Sequence, residues 1–103
     1  MEWEKMSLAE QLGNVGSDYE RALRWKEKNQ PLLFKNAAAR TLEQLDRTLT
    51  NPKLLPVRRR EIARLRDEVC SVLFENEKAT QSSRGLQKYF LSMATLARNK
   101  KGM

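Results

Sequence analysis

The 103-residue chain contains no histidine and a single cysteine, Cys70. Without imidazole, the general acid–base chemistry of histidine-dependent hydrolases is excluded. A zinc site of nitrogen and sulfur ligands cannot form within one protomer, and the Glu-x-x-His motif of di-iron bundle proteins is impossible. A lone cysteine also excludes an internal disulfide, so we expect Cys70 to be a small, partly buried residue in a reducing compartment.

Long apolar runs are missing as well. The longest runs are a few residues, around Leu32 and Leu54, which is too short to cross a bilayer. The charged residues Glu2, Glu4 and Lys5 follow Met1, so we expect no secretory signal. The sequence therefore predicts a cytoplasmic protein with no membrane partner.

Signals for strands and for phosphate-binding loops are also absent. Apolar residues do not alternate at period two, and no Asn-Gly or Asp-Gly turn occurs. Neither glycine-rich nucleotide-binding motif is present. Gly13-Asn14-Val15-Gly16 matches the Gly-x-x-Gly loop of KH domains. Because that fold surrounds its loop with strands, we interpret the match as a chance one.

The sequence instead has apolar residues spaced alternately three and four apart, which is the pattern of amphipathic helices. We expect the second of four helices to begin at Pro31 and to stop at Asn51-Pro52. The third begins after Pro56 and ends near Asn76, and the fourth follows the polar stretch 80–83. The residues that we assign to buried faces are Leu8, Leu12, Val15, Tyr19 and Ala22; Phe34, Ala38, Leu42, Leu45 and Leu49; Ile62, Leu65, Val69, Val72 and Leu73; and Leu86, Tyr89, Phe90, Met93, Leu96 and Ala97.

These four helices predict an all-α fold. With short connections, they are most simply arranged as an antiparallel up-down four-helix bundle. We assign this single domain to residues 7–98, between an acidic N-terminal head, residues 1–6, and a basic C-terminal tail, residues 99–103. The alternative is a pair of helical hairpins that dimerises into a larger bundle.

Two glycines, Gly13 and Gly16, lie within the first predicted helix. A break there is possible because Ser17 to Glu20 forms a capping box that would restart a helix. The residues from Ser7 to Glu10 form an equally good capping box, and the apolar stripe keeps its phase across both glycines. We therefore predict one helix from about Ser7 to Asn29. Each interior glycine costs about 1 kcal/mol relative to alanine, and we expect close packing of another helix to compensate.

The net charge of +7 is unevenly distributed along the chain. Residues 1–20 contain five acidic residues and one basic residue, a charge of −4, so residues 21–103 carry +11. A basic body of this kind attracts nucleic acid or an acidic protein over long range. The carboxylates mostly lie at helical spacing from arginine or lysine, as Glu20 does from Arg24. This spacing predicts surface ion pairs, so we expect no enzymatic activity, no cofactor and no metal.

Five arginines occur within nine residues: Arg58, Arg59, Arg60, Arg64 and Arg66. Guanidinium groups match phosphate geometry, so we predict that this cluster contacts the backbone of nucleic acid or an acidic partner. The first three fall in a first helical turn, where the helix dipole opposes cations unless an anion is bound. No asparagine or glutamine is interleaved to read base edges. The alternative is a solvated helix start balanced by nearby carboxylates.

A second basic group lies near the end of the first helix, at Arg21, Arg24 and Lys28. We include these residues in the predicted binding surface. Trp25 lies among them, and Trp3 lies in the acidic head. Each tryptophan is predicted to contact a partner or to cover the edge of the core.

A short, basic four-helix bundle without catalytic groups resembles a group of bacterial four-helix-bundle proteins. The group includes the accessory variability determinants of diversity-generating retroelements and their relatives encoded in ribosomal RNA intervening sequences. The opening segment, Ser7 to Asn14, also has the look of small bacterial proteins. The resemblance covers the architecture and carries over no functional residue. It implies a ring-like homo-oligomer with a basic surface that works with a reverse transcriptase and its RNA.

The sequence therefore predicts a non-enzymatic accessory protein that self-associates and binds nucleic acid, RNA or DNA, or a nucleoprotein enzyme. The alternative is a protein–protein adaptor whose arginine face docks an acidic partner, with the two tryptophans as anchors. A small carboxylate-dependent nuclease is a third class, and it would require metal-dependent cleavage.

Overall fold

A computed structural model of the chain describes residues 3–74 and 79–101, with the side chains of residues 4, 79–84, 100 and 101 excepted. A short 3-10 turn, Trp3–Lys5, precedes four α-helices. The helices are α1, Leu8–Glu27; α2, Pro31–Leu49; α3, Pro56–Phe74; and α4, Ala79–Lys101. Within these described ranges the secondary structure is entirely helical, which confirms the predicted all-α class.

Helix α1 begins at the predicted capping box and continues through Gly13 and Gly16 without a break. The Ser7 hydroxyl accepts from the Glu10 backbone N–H, and the Glu10 carboxylate accepts from the Ser7 backbone N–H, each at 3.1 Å. At the other end Asn29 has a positive φ of 54°. The N–H groups of Asn29 and Gln30 donate to the carbonyls of Lys26 and Trp25, so a Schellman motif with asparagine in place of glycine ends α1.

The boundaries of α2 and α3 agree with proline chemistry, whereas those of α4 differ from the prediction. Pro31 and Pro56 are the first residues of their helices, where a missing N–H costs nothing. Helix α4 begins at Ala79, ahead of the polar stretch 80–83, and extends to Lys101 into the segment predicted as a tail. The predicted end near Asn76 lies outside the described residues, as do residues 1, 2, 102 and 103.

Helix α1 packs against the other three helices, and α3 also contacts α2 and α4. The buried side of α1 contains Leu12, Val15 and Tyr19, each fully buried. The core that these helices share follows the predicted stripes with one error. Leu96 was assigned to the buried face, but it is 45% exposed, whereas the neighbouring Ala97 is buried as predicted.

Both interior glycines of α1 face helix α4. A Cβ atom at Gly16 would lie 2.4 Å from the Phe90 Cβ, and one at Gly13 would lie 3.3 Å from the Ala94 Cα. The Phe90 ring lies 5.5 Å from the Tyr19 ring, measured between centroids. The missing side chains thus let α4 approach α1 closely, and the aromatic contact forms across this seam.

Trp3 is buried at the end of the helical core. Gln11 fixes the turn that carries it, because its amide donates to the Trp3 carbonyl at 2.9 Å and accepts from the Thr48 hydroxyl at 3.1 Å. The Arg47 guanidinium covers the indole ring at 5.4 Å from its centroid. Of the two roles predicted for Trp3, packing is therefore what the fold displays.

Candidate nucleic-acid interface

Helix α3 carries the arginine cluster, and its 100° rotation per residue sends the five side chains in different directions. Arg59 and Arg66 point toward α2. Arg60 and Arg64, one turn apart, are exposed beside α4. The structure therefore divides the predicted cluster into arginines that hold the fold together and arginines that face solvent.

Arg59 is bound to the connection between α2 and α3. Its guanidinium donates to the carbonyl of Leu49, and at 3.3 and 3.2 Å to those of Asn51 and Leu54. Leu49 belongs to the last turn of α2, where carbonyls have no partner within the helix. These three bonds use three of the five N–H donors of the guanidinium, so fewer remain for a phosphate.

Arg66 is bound to Asp46 of α2 in a bidentate pair, with distances of 2.7 and 3.5 Å to the two carboxylate oxygens. The hydrogen bond to Asp46 raises the pKa of the Arg66 guanidinium. Arg58 is paired with Glu61 of its own helix at 3.1 Å, and both side chains are about half exposed. Arg66 therefore links two helices, while the Arg58 pair belongs to the surface, where ion pairs contribute little to stability.

Arg60 and Arg64 have no hydrogen-bond or ion-pair partner among the described residues. They line a groove between α3 and α4, which we call the α3–α4 groove, with a volume of about 920 Å³. The described residues around it are Val57, Arg60, Glu61, Arg64, Leu65, Glu68, Gly85, Leu86 and Tyr89.

Charges of both signs meet an apolar surface in the α3–α4 groove. The Tyr89 hydroxyl donates to the Glu61 carboxylate at 3.4 Å. Burial first, and then the negative charge of Glu61, raises the pKa of Tyr89 to about 12, so the phenol stays neutral at physiological pH. At Gly85 no atom of the described residues lies within 4 Å of an added Cβ. Among the described residues, the groove is therefore open at its α4 wall.

The basic group on α1 lies on a different side of the molecule. Arg21 donates to the buried Asp18 carboxylate at 2.9 Å, and Gln44 of α2 donates to its second oxygen, also at 2.9 Å. Arg40 approaches the same carboxylate at 3.7 Å. Asp18, rather than the predicted Glu20, is thus the centre of ion pairing on α1, and Arg21 serves to neutralise it.

Arg24 and Lys28 are exposed on the outer face of α1. The Lys28 ammonium lies 5.6 Å from the centroid of the Trp25 ring, and Trp25 is partly buried against the core. Trp25 borders Pro31 and Phe34 of α2, whereas Arg60 and Arg64 line the α3–α4 groove. The structure therefore does not unite the two basic groups into one surface.

Sequence reasoning missed the outer face of α4. From Ala79 to the end of the chain there is no aspartate or glutamate, a signal that was available in the sequence. One side of the helix exposes Lys88, Leu91, Ser92, Thr95, Arg98 and Asn99, and we call these residues the α4 outer face. Hydroxyl, amide and cationic groups of this kind make most protein contacts with phosphates.

The described part of the chain was compared with the requirements of a metal site and of a membrane-spanning helix. Its acidic and cysteine side chains form no cluster of three or more that would hold a metal ion. None of its helices is both long and apolar enough to cross a lipid bilayer. Comparison of the sequence and structure with protein-family models, with curated proteins and with solved structures gave no match.

Proposed function

We propose that the protein is a non-enzymatic, basic helical accessory protein that binds nucleic acid through the phosphate backbone. The observation that carries this proposal is the pair Arg60 and Arg64. Both side chains are exposed on one side of α3, and neither has a partner among the described residues. Arginines that the fold does not use are free to bind an anion, and guanidinium is well matched to phosphate.

The overall charge supports the same function. The chain carries +7, and a field of this sign raises the rate at which a polyanion associates. Binding by phosphate contacts releases counterions, so affinity falls steeply as the salt concentration rises. Contacts of this kind position a protein on nucleic acid without reading its sequence.

The test is a titration of fluorescently labelled DNA and RNA at several salt concentrations, with the double variant R60Q/R64Q. We expect weaker binding and a salt slope lower by about two, since each phosphate contact contributes about one unit. The matched control is K35Q/K53Q, which removes the same charge from exposed lysines elsewhere. Absence of binding to both nucleic acids at low salt would exclude the function.

A second candidate, the adaptor that docks an acidic protein, is favoured by the α3–α4 groove. Leu65, Leu86 and Tyr89 give it apolar contact area, and Glu61 and Glu68 add carboxylates that a phosphate backbone does not need. The variant G85L distinguishes the adaptor from the nucleic-acid-binding protein, because its leucine side chain would fill the open wall of the α3–α4 groove. Docking of a protein would be lost, whereas phosphate binding by Arg60 and Arg64 would persist.

We also propose that the protein self-associates. Several large apolar side chains are more than half exposed: Leu32, Leu55, Val57, Phe74 and Leu91. Exposed apolar residues of this size are typical of interaction surfaces when they form patches. Sedimentation velocity over a range of concentrations measures the oligomer, and a monomer at every concentration would refute this part of the proposal.

The resemblance to retroelement accessory proteins adds a reverse transcriptase with its RNA as a proposed partner. Purification of the tagged protein from its native host, with identification of both the protein and the nucleic-acid fractions, tests this directly. If neither a reverse transcriptase nor RNA is recovered, this proposed partner is refuted, while the nucleic-acid function itself is tested separately by the titration.

For the architecture we propose the antiparallel up-down arrangement. Three contacts support it. Gln11 near the start of α1 bonds with Thr48 near the end of α2, Gly13 faces Ala94 near the end of α4, and Lys26 near the end of α1 donates to carbonyls at the end of α3. Spin labels at Lys28 and Ser71, both exposed, should then lie close together, and a distance of a full helix length would contradict the arrangement.

A further inference from the structure

The α4 outer face is a binding surface distinct from the arginines of α3. Lys88 and Arg98 lie near its two ends, and the exposed side chains between them are uncharged. No acidic residue occurs anywhere from Ala79 onward, so nothing on this helix repels a phosphate. A purely solvated helix face of this length usually mixes both signs of charge.

The dimensions of this face match one kind of nucleic acid. Lys88 and Arg98 are ten residues apart, which corresponds to about 15 Å along the helix. The major groove of B-form DNA is about 12 Å wide and admits an α-helix. A helix in this groove lies along it, so the two cations reach opposite walls because of their positions around the helix axis. Lys88 and Arg98 are about 80° apart around that axis, with Leu91 and Thr95 between them.

Other nucleic acids fit this face less well. The major groove of A-form RNA is deep and narrow, and side chains do not enter it. Single strands are held mainly by stacking of bases on aromatic side chains. The α4 outer face has no aromatic residue, since Tyr89 faces the α3–α4 groove. The chemistry therefore favours a double helix of the B form.

The neutral residues of the face divide into two groups. The Ser92 hydroxyl donates to the Lys88 carbonyl at 2.9 Å, which leaves Thr95 and Asn99 as the uncommitted polar groups. Leu91 is 61% exposed at the centre of the face. Thr95 and Asn99 are suited to phosphates or base edges, and Leu91 to the methyl group of thymine.

We propose that the α4 outer face binds in the major groove of double-helical DNA, with Lys88 and Arg98 on phosphates of opposite walls. This inference rests on the proposed nucleic-acid function and specifies its ligand. Arg60 and Arg64 then act beside this face as additional phosphate contacts.

The experiment measures fluorescence anisotropy of a labelled DNA duplex, an RNA duplex of the same sequence and the single DNA strand. We expect the DNA duplex to bind tightest. The variant K88Q/R98Q should weaken its binding about tenfold at moderate salt and lower the salt slope by about two, as expected for two lost phosphate contacts. K35Q/K53Q serves again as the control for charge.

A second variant tests the centre of the face. T95E places a carboxylate between the two cations and should abolish binding to the DNA duplex, whereas N36E adds the same charge to an exposed position on α2. Thermal unfolding checks that both variants fold, which is expected because Thr95 and Asn36 are exposed.

The outcomes separate this inference from the function on which it rests. If K88Q/R98Q and T95E bind like their controls while R60Q/R64Q loses affinity, the α4 inference is wrong and the nucleic-acid function stands. A preference for the RNA duplex or the single strand also refutes the inference. If the wild-type protein binds none of the three probes, both proposals are refuted, and the apolar centre at Leu91 then belongs to a protein interface.

Discussion

At the scale of single residues, three helical glycines have two different surroundings. Two of them lie in a close contact between helices, and the third borders open space. At Gly16 and Gly13 the space that a side chain would occupy is taken by Phe90 and Ala94 of α4. These two glycines therefore permit α1 and α4 to pack closely. At Gly85 the space stays open among the described residues. The intrinsic cost of glycine in a helix is the same in each case, about 1 kcal/mol, so only the surroundings decide what a substitution does.

Alanine substitutions should therefore change stability in opposite directions. G16A introduces a Cβ that collides with Phe90, and we expect a net loss of about 1–3 kcal/mol in the free energy of unfolding, typical of overpacking. G13A, with a wider gap to Ala94, should lose less. G85A should gain about 0.5–1 kcal/mol. Urea denaturation measures all three, and equal stabilisation by G16A and G85A would contradict the close seam.

The arginines of α3 act at the scale of the element. Arg59 donates to the Leu49 carbonyl at the end of α2 and to the carbonyls of Asn51 and Leu54 in the following connection. Arg66 links α3 to α2 through Asp46. These side chains fix α3 to α2. Cations in the first turn of α3 interact unfavourably with the helix dipole, and the carbonyls that bind Arg59 partly offset this effect.

The neighbours Arg59 and Arg60 provide a matched pair of variants. R59Q should lower the free energy of unfolding by about 2 kcal/mol, because the partly buried carbonyls of the connection lose charged donors. R60Q, at an exposed position without a described partner, should leave stability unchanged and affect binding instead. Chemical denaturation and nucleic-acid titration of both variants check this division. Equal stability of the two proteins would show that the Arg59 bonds contribute nothing.

The whole molecule carries a charge of +7. Among the described residues, the ion pairs of Arg58 and Arg66 lie at the surface, whereas those of Asp18 involve a buried carboxylate. Repulsion among the excess cations opposes the compact state, and added salt screens it over about 8–10 Å. The few surface pairs lose little when screened. We therefore expect added salt to raise the free energy of unfolding. A bound polyanion should raise it as well, because it neutralises the excess cations.

Thermal unfolding should reflect this balance. We expect the midpoint to rise between low salt and about 0.15 M sodium chloride as the repulsion is screened, and to rise further on addition of the DNA duplex at low salt, by mass action. Differential scanning fluorimetry measures both. A midpoint that falls steadily with salt would mean that the ion pairs around Asp18 and Asp46 outweigh the net charge.

The sequence by itself determined the helices. The capping box at Ser7 and Glu10, the prolines that open α2 and α3, and the stripe that crosses both glycines are local signals, because caps and periodicity act over one or two turns. Composition also excluded histidine and disulfide chemistry without any knowledge of the fold. The ends of α4 were misjudged because polar residues weaken a helix signal without breaking the helix.

Only the tertiary structure decided which side of each helix is used. Helix α4 has apolar residues on more than one side, and packing of Phe90 against Gly16 leaves Leu91 and Leu96 exposed. Neighbouring arginines look alike in the sequence, but the carbonyls that bind Arg59 come from α2 and its connection, up to ten residues earlier. Contacts between elements depend on the relative placement of helices, which local spacing does not encode, and this placement separates Arg59 from Arg60.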